Sequence, residues 1–393
     1  MHGPTNIALL IVFLILVGIT WIAYRLLKRF FPIYETPLIR NLYWGLSAIA
    51  IVSLPITRVV QTSIIPTDLL RLPFVWFMGQ ILLLVLSPLF YAGFQLLTLS
   101  RSKNVRKQGE GLSRRRFIQN SVAGLLPLTS FGVSSYGVYS GGSNITTQRQ
   151  ELSWPNLPQY LDSFKIIQIS DSHIGLFFSV EKLEEVLTTV RREKPDLLVI
   201  TGDLVDDLSL LQPTINRLSE LAHEIKYGIY FCWGNHEYFR DIKKIRQALA
   251  NSPIRVLENS NQVIVDDAQP FYLLGVDYPW ADNGQEQAYK RQSMFAQTVE
   301  GVPANAFRIL LSHHPDFINN AFDAEIPLTL TGHTHGGQVA IFGQSLLPVK
   351  YKYMRGLYRN GQSYGYVSAG TGSWFPFRLG CPAEITVFIL KKA

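Results

Sequence analysis

Apolar positions fall in two textures along the chain. Up to residue 140 they come in long runs: Ile7–Tyr24, about Leu42–Ile56, about Leu72–Leu99 and, more weakly, Phe117–Tyr139. A helix that crosses a bilayer needs about 17–25 residues. The first and third runs carry no charge. The second contains Pro55 and ends at Arg58, and the fourth holds Gln119, Asn120 and several Ser and Gly. The pattern predicts an all-α transmembrane region of about four helices over residues 1–140. Residues 141–161 are rich in Gly, Ser, Thr, Asn, Gln and Pro, show little periodicity and read as a linker. From residue 162 to 393 short apolar runs alternate with amphipathic segments. Phe164–Ile169, Asp196–Ile200 and Gly228–Trp233 read as buried strands. Ser179–Arg192 has apolar residues at Val180, Leu183, Val186, Leu187 and Val190, which is helical spacing; Pro213–Ala222 reads likewise. The alternation predicts an α/β domain.

Composition narrows the class. With 47% hydrophobic and 17% charged residues the chain is not disordered, and two cysteines in 393 residues exclude a disulfide scaffold. A net charge of +7 invites a nucleic-acid-binding reading, but the charge is unevenly placed. Residues 1–149 hold 14 Lys+Arg and 3 Asp+Glu (+11), whereas residues 150–393 hold 22 and 26 (−4). The excess belongs to the apolar third, so no nucleic-acid partner is expected. Positive loops stay cytoplasmic. The first carries Arg25, Lys28, Arg29 and Arg40. The second carries Arg58 and Arg71, and the third carries seven basic residues from Arg101 to Arg116. This alternation puts the amino terminus and everything after the fourth run outside the cytoplasm. Ser113-Arg114-Arg115-Arg116-Phe117-Ile118 resembles the bacterial twin-arginine export motif. That resemblance implies the twin-arginine translocation machinery as a partner. No small-x-small cleavage site stands near Tyr139, so the segment is expected to stay as an anchor. The expected location is the bacterial cytoplasmic membrane, multi-pass, with the last 240 or so residues on the extracytoplasmic face.

The strand ends carry the chemistry. After successive strands come Asp171-Ser172-His173, Gly202-Asp203-Leu204-Val205-Asp206, Gly234-Asn235-His236-Glu237, Ser312-His313-His314-Pro315 and Gly332-His333-Thr334-His335-Gly336-Gly337-Gln338. Ligands in open α/β sheets gather at the carboxyl ends of strands. Residues two apart in extended chain point the same way, so Asp171 and His173 can reach one ion, and His333 and His335 the same region. Carboxylate, imidazole and amide together suit divalent Mn, Fe or Zn better than an all-oxygen Mg or Ca site. Of eight histidines, five lie in these motifs and His314 beside one; His2 and His223 read as incidental.

The ordered set Asp-x-His, Gly-Asp-x-x-Asp, Gly-Asn-His-Glu, His, Gly-His-x-His resembles the calcineurin-like metallophosphoesterase superfamily over about Phe164 to Leu390. Gly332–Gln338, with Val367–Gly372 and Arg378-Leu379, is similar to its membrane-anchored bacterial branch. The resemblance implies a four-layer α/β/β/α sandwich with two divalent metal ions. Asp171, His173 and His335 would bind the first ion, and Asn235, His313 and His333 the second. Asp203 would bridge them. His314 rivals His313, which is favoured because it stands two before Pro315. Two ions clamp a phosphoryl group; a hydroxide between them attacks phosphorus, and His236, oriented by Asp206, protonates the leaving oxygen.

The expected activity is hydrolysis of a phosphoester, with a phosphodiester of lipid or envelope origin as the leading substrate. One alternative is a pyrophosphatase on a nucleotide-diphosphate lipid such as UDP-diacylglucosamine, a cytoplasmic substrate. Another is an inactive membrane receptor or scaffold, against which the complete ligand set argues. Cys232, inside a strand, is poorly placed to pair with Cys381. Trp280, Trp374, Phe375 and Phe377 are either packing residues or a lipid-facing cluster.

Overall fold

A computed structural model describes residues 6–59, 69, 71–101, 110–346 and 351–393, in two compact units, residues 1–140 and 141–393. In the first unit, α1 (Asn6–Phe30), α2 (Pro37–Val59) and α3 (Leu72–Arg101) take up the first three apolar runs, and α4 (Glu110–Ser143) the fourth. Their outward surface is apolar: Leu14, Trp21, Ile49, Leu89, Leu96 and Leu128 are exposed. Their interior holds polar side chains, with Thr20, Ser47, Gln80, Ser87, Ser130 and Ser134 buried. The Tyr43 hydroxyl donates to the Thr20 carbonyl and bonds Gln80 Oε1, both at 2.8 Å, and Tyr34 donates to the Ala123 carbonyl at 3.0 Å. In water such a surface would be a large exposed apolar patch. Among the described residues, Leu72–Gly93 meets the length and hydropathy of a membrane span. The Ser113–Ile118 motif falls within α4, but the side chains of its three arginines lie outside the described residues, as do residues 102–109 with Lys103, Arg106 and Lys107.

The second unit is built on two six-stranded sheets. One runs β1 (Ile145–Trp154), β14 (Ala383–Lys392), β2 (Lys165–Ile169), β3 (Leu197–Thr201), β4 (Ile229–Cys232), β5 (Arg255–Val256). The other runs β12 (Gly356–Asn360), β13 (Ser363–Val367), β9 (Leu328–Thr331), β8 (Phe307–Leu311), β7 (Phe271–Gly275), β6 (Ser260–Val265). Strands β2, β3 and β4 are mutually parallel, as are β7, β8, β9 and β13.

Side chains alternate across each strand, so each sheet makes two cores. Ile166, Val199, Tyr230, Phe271, Ile309, Leu330 and Phe388 pack between the sheets. Ile167, Leu198, Ile200 and Phe231 face outward onto Leu183 and Leu187 of α5 (Val180–Glu193), Leu218 and Leu221 of α6 (Leu211–Ala222) and Leu249 of α8 (Ile242–Ala250). On the far side Leu274 and Leu310 meet Phe295 of α9 (Gly284–Val299) and Phe317 of α10 (Phe317–Asp323). The layering is α/β/β/α. Burial on both faces explains why the central strands read as unbroken apolar runs.

Ile145–Trp154 lies within the stretch expected to be linker. It forms β1, paired along its whole length with β14. Its polar run Thr146-Thr147-Gln148-Arg149-Gln150 suits a sheet edge with one face in water, where the apolar signal of a strand is weakest. Cys232 and Cys381 are both free and buried.

Candidate metal centre

The loops after β2, β3, β4, β8 and β9 meet at one rim of the sandwich, and all nine residues singled out from sequence are there. Asn235 and His236 open the short helix α7 (Asn235–Phe239), whose N-cap is Gly234. Asp171, His173, Asp203, His333 and His335 all sit at positive φ, between 47° and 75°. That region is sparsely used by residues with a β-carbon and persists only where surrounding structure enforces it. Five strained residues at one rim mark a site whose geometry outweighs local comfort. The glycines that precede them serve close approach. A β-carbon on Gly332 would strike Ser170 Oγ and Asp171 Oδ2, and one on Gly234 would strike Asp203 Oδ1.

Two sets of donor atoms converge. In the first, His173 Nε2 and His335 Nε2 are 3.0 Å apart, and His335 Nε2 lies 3.4 Å from Asp171 Oδ1. In the second, His313 Nε2 lies 3.0 Å from Asn235 Oδ1, 3.2 Å from Asp203 Oδ2 and 3.2 Å from His333 Nδ1. Asp203 Oδ2 is also 3.6 Å from His173 Nε2, so this carboxylate stands between the sets. Three groups have the spacing to hold an ion: Asp171, His173 and His335; Asp171, Asp203 and His313; His173, Asp203 and His236.

Tautomers sharpen the picture. His313 Nδ1 donates to the Thr201 carbonyl at 2.8 Å, and His173 Nδ1 donates to Asp206 Oδ2 at 3.3 Å. With Nδ1 so committed, each Nε2 is turned inward, the orientation that a metal-ligating imidazole takes once its proton is displaced. His313 Nε2 faces the Asp203 carboxylate and the Asn235 amide oxygen, so a cation belongs between them: a proton on Nε2, or a metal ion in that proton's place. Burial opposes protonation of His313, yet the Asp203 and Asp171 carboxylates push its pKa up to about 10. Burial pushes Asp171 up. For Asp203 burial works the same way, but His313 and His173 beside it hold it well below the usual range. Burial pulls His333 and His335 well down, reinforced by His313 and by His173 respectively, so both offer neutral nitrogens. This buried donor set of two carboxylates, one amide and four imidazoles fits a pair of divalent ions.

Asp206 binds two histidines. It accepts from His236 Nδ1 at 2.8 Å as well as from His173, and Arg240 Nη2 is 3.1 Å from it. Burial works against its ionisation, yet the hydrogen bonds from His173 and His236 hold it well below the usual range. His236 spends Nδ1 on Asp206, and its side chain is 18% exposed where those of His173, His313 and His335 are 3% exposed or less. His314 faces differently from His313: its Nδ1 accepts from the Asp316 amide at 3.2 Å, and burial pulls its pKa down to about 4.

Three residues without a sequence-derived role support the site. Glu237, fully buried, accepts from the amides of Leu204 (2.7 Å), Gly234 (2.9 Å) and Asp203 (3.0 Å), tying the β3 and β4 loops together. Glu237→Ala would orphan three buried amides at about 1–3 kcal/mol each. We expect a loss of at least about 3 kcal/mol, hence a Tm lower by about 6–12 °C, read by thermal unfolding; an unchanged Tm would remove Glu237 from this role. Arg378 is buried behind His335, with Nη2 3.1 Å from its Nδ1 and hydrogen bonds to Ala369 O (2.8 Å) and Ser373 Oγ (2.6 Å). The Tyr351 hydroxyl is 3.0 Å from His333 Nε2. Glu237 and Arg378 stand inside quoted motifs, but their supporting roles depend on partners on other loops; Tyr351 stands in none of the motifs.

The described cavity of about 970 Å³ lies elsewhere, lined by Trp154, Phe307, Pro327, Gln362 and Lys392. Phe307 and Pro327 stand at the amino ends of β8 and β9, so this cavity is at the opposite rim and has no part in the chemistry.

Residues 164–341 match the family model for calcineurin-like phosphoesterases. The chain is 30% identical over 295 residues to the metallophosphoesterase YkuE of Bacillus subtilis, covering 72% of this chain and 98% of the relative. It is 30% identical over 290 residues to the phosphodiesterase YaeI of Escherichia coli, covering 71% and 99%. It is also 28% identical to a "transmembrane protein with metallophosphoesterase domain" of Danio rerio, covering 74% and 69%. The chain belongs to the calcineurin-like metallophosphoesterase family, and it is a metal-dependent hydrolase of phosphoric esters.

Proposed function

We propose that the protein is a membrane-anchored phosphodiesterase with a binuclear metal centre. Asp171, His173 and His335 would hold one ion and Asn235, His313 and His333 the other, with Asp203 standing between the two sets. The observation that carries this reading is the convergence on one carboxylate: His313 Nε2 lies 3.2 Å from Asp203 Oδ2, and His173 Nε2, with His335 Nε2 beside it, lies 3.6 Å away on the other side. Bound ions of this kind polarise phosphoryl oxygens and lower the pKa of water. The chain's own contribution is then orientation and proton delivery. Asp206 fixes the His236 tautomer through Nδ1, which directs Nε2–H toward a departing oxygen. By accepting also from His173, Asp206 couples the proton donor to the ligand shell. Testing it takes a screen of the full chain in detergent, supplemented with Mn, Fe or Zn, on mono-, di- and pyrophosphoesters. Diesters are expected to be the best class; activity confined to pyrophosphates would favour the nucleotide-diphosphate-lipid alternative.

The apolar exterior and polar interior of α1–α4 support a multi-pass membrane unit. The 4, 2, 7 distribution of basic residues over its loops supports an extracytoplasmic catalytic unit in a bacterial cytoplasmic membrane. Membrane insertion through the twin-arginine machinery belongs to the same proposal, as does a lipid or envelope phosphoester as substrate. An alkaline phosphatase reporter fused after Gly142 is expected to be active and a fluorescent cytoplasmic reporter dark. The reverse outcome would place the catalytic unit in the cytoplasm.

A further inference from the structure

The chain after His335 differs from the rest of the catalytic unit in charge and in surface. Between Glu325 and Glu384 the sequence holds Lys350, Lys352, Arg355, Arg359 and Arg378 and no Asp or Glu, inside a part of the chain that is net acidic. The same stretch exposes large apolar side chains: Phe342 is 100% exposed, Leu346 57%, Trp374 54% and Ile341 49%. Strands β10 (Ala340–Ile341) and β11 (Gln344–Ser345) form a hairpin turned by Phe342 and Gly343, at φ of 50° and 79°. Such two-residue turns favour Asn-Gly or Asp-Gly. A phenylalanine there takes a strained backbone and leaves its whole ring outside.

This hairpin stands at the metal-centre rim. Gly336 and Gly337 follow His335 directly, and a β-carbon on Gly337 would meet the Ser345 side chain. Gln338 Nε2 donates to the Phe375 carbonyl at 3.0 Å, so the Trp374 loop adjoins the hairpin base. Arg355 Nη1 donates to Gly380 O at 3.3 Å, which puts a basic side chain beside the same loop. The chain also comes into the catalytic unit at this rim. Ile145 pairs with Ala383, two residues from Cys381, whose Sγ contacts the His335 carbonyl at 3.2 Å.

We infer that the Ala340–Ser345 hairpin and the Trp374 loop form a lipid-contacting edge that seats the metal-centre rim on an anionic bilayer, where it meets phosphoesters held in that bilayer. The inference rests on the proposed membrane anchoring, and it names the form in which substrate is presented. Aromatic rings favour the interfacial zone, exposed apolar tips gain by leaving water, and Lys352 and Arg355 supply the positive flank that anionic headgroups attract.

The test uses the full chain in vesicles of phosphatidylglycerol and phosphatidylethanolamine. Cys232 and Cys381 are buried, so Phe342→Cys can carry an environment-sensitive fluorophore alone. Brominated acyl chains are expected to quench that label. A label at Gln362→Cys, exposed at the opposite rim, is expected to be unaffected. A second readout compares hexadecyl 4-nitrophenyl phosphate in the vesicles with soluble bis(4-nitrophenyl) phosphate. For the double variant Phe342→Asp, Trp374→Asp the ratio of the two rates is expected to fall about tenfold. Failure of both substrates in the wild type would count against the phosphodiesterase reading, while the quenching result still decides lipid contact. Unquenched Phe342→Cys fluorescence would overturn the inference. So would self-quenching that rises with protein concentration in detergent, which would assign the edge to a second copy of the chain.

Discussion

His236→Asn is expected to lower turnover of a phosphodiester with a poor leaving group by about 10²–10⁴-fold, the usual contribution of a positioned general acid, while bound metal stays at the wild-type level. The expectation follows from geometry. His236 spends Nδ1 on Asp206 at 2.8 Å and is more exposed than His173, His313 and His335, which leaves Nε2 available to a substrate oxygen. A leaving group that departs unprotonated, such as 4-nitrophenolate, needs little help. The loss should therefore shrink with leaving-group pKa, which a removed metal ligand would not produce. Asp206→Asn should reproduce part of the effect and add a metal defect, because Asp206 also accepts from His173 Nδ1. Undiminished activity of His236→Asn on an alkyl leaving group would remove the residue from the chemistry.

Asp203→Asn is expected to be more damaging. Asp203 Oδ2 lies 3.2 Å from His313 Nε2 and 3.6 Å from His173 Nε2, while Oδ1 accepts the His236 amide at 2.8 Å. The substitution removes the negative charge shared by both donor sets and leaves buried imidazoles facing an amide. Metal bound per chain should fall below half of the wild-type value. Activity should fall by more than about 10³-fold, since both ions and the proton donor depend on that carboxylate. Elemental analysis of the purified full chain separates this result from His236→Asn, whose metal is retained. Full metal in Asp203→Asn would remove its bridging role.

Much of the site is legible in the sequence because function here contradicts local preference. Asp171, His173, Asp203, Asn235, His313, His333 and His335 follow apolar strands at places where buried charge and imidazole are costly, and they recur at five strand ends. The central strands are legible for the reason that their two faces are both buried, as with Ile166 and Ile167 of β2. What escaped the sequence depends on partners distant in the chain. Thr146 to Gln150 become a strand only because β14 lies beside them, with Thr147 opposite Ile385. Glu237 stands in plain view within Gly-Asn-His-Glu, but its three amide partners, on Asp203, Leu204 and Gly234, sit on two different loops. Arg378 becomes the support of His335 only once β14 and the Gln338 turn have met. The exposure of Phe342 leaves no trace in the pattern, since it closes the apolar run Val339–Phe342, which reads as a short buried segment.

The central claim is that the rim of the sandwich holds two divalent ions and that hydrolysis depends on them. The direct measurement is metal content of the purified full chain together with hydrolysis of bis(4-nitrophenyl) phosphate before and after chelation. The expected result is about two ions per chain, loss of hydrolysis when both are stripped, and recovery on adding Mn, Fe or Zn. A chain that binds no more than one ion at saturation, or that hydrolyses the diester unchanged after both are removed, would contradict it.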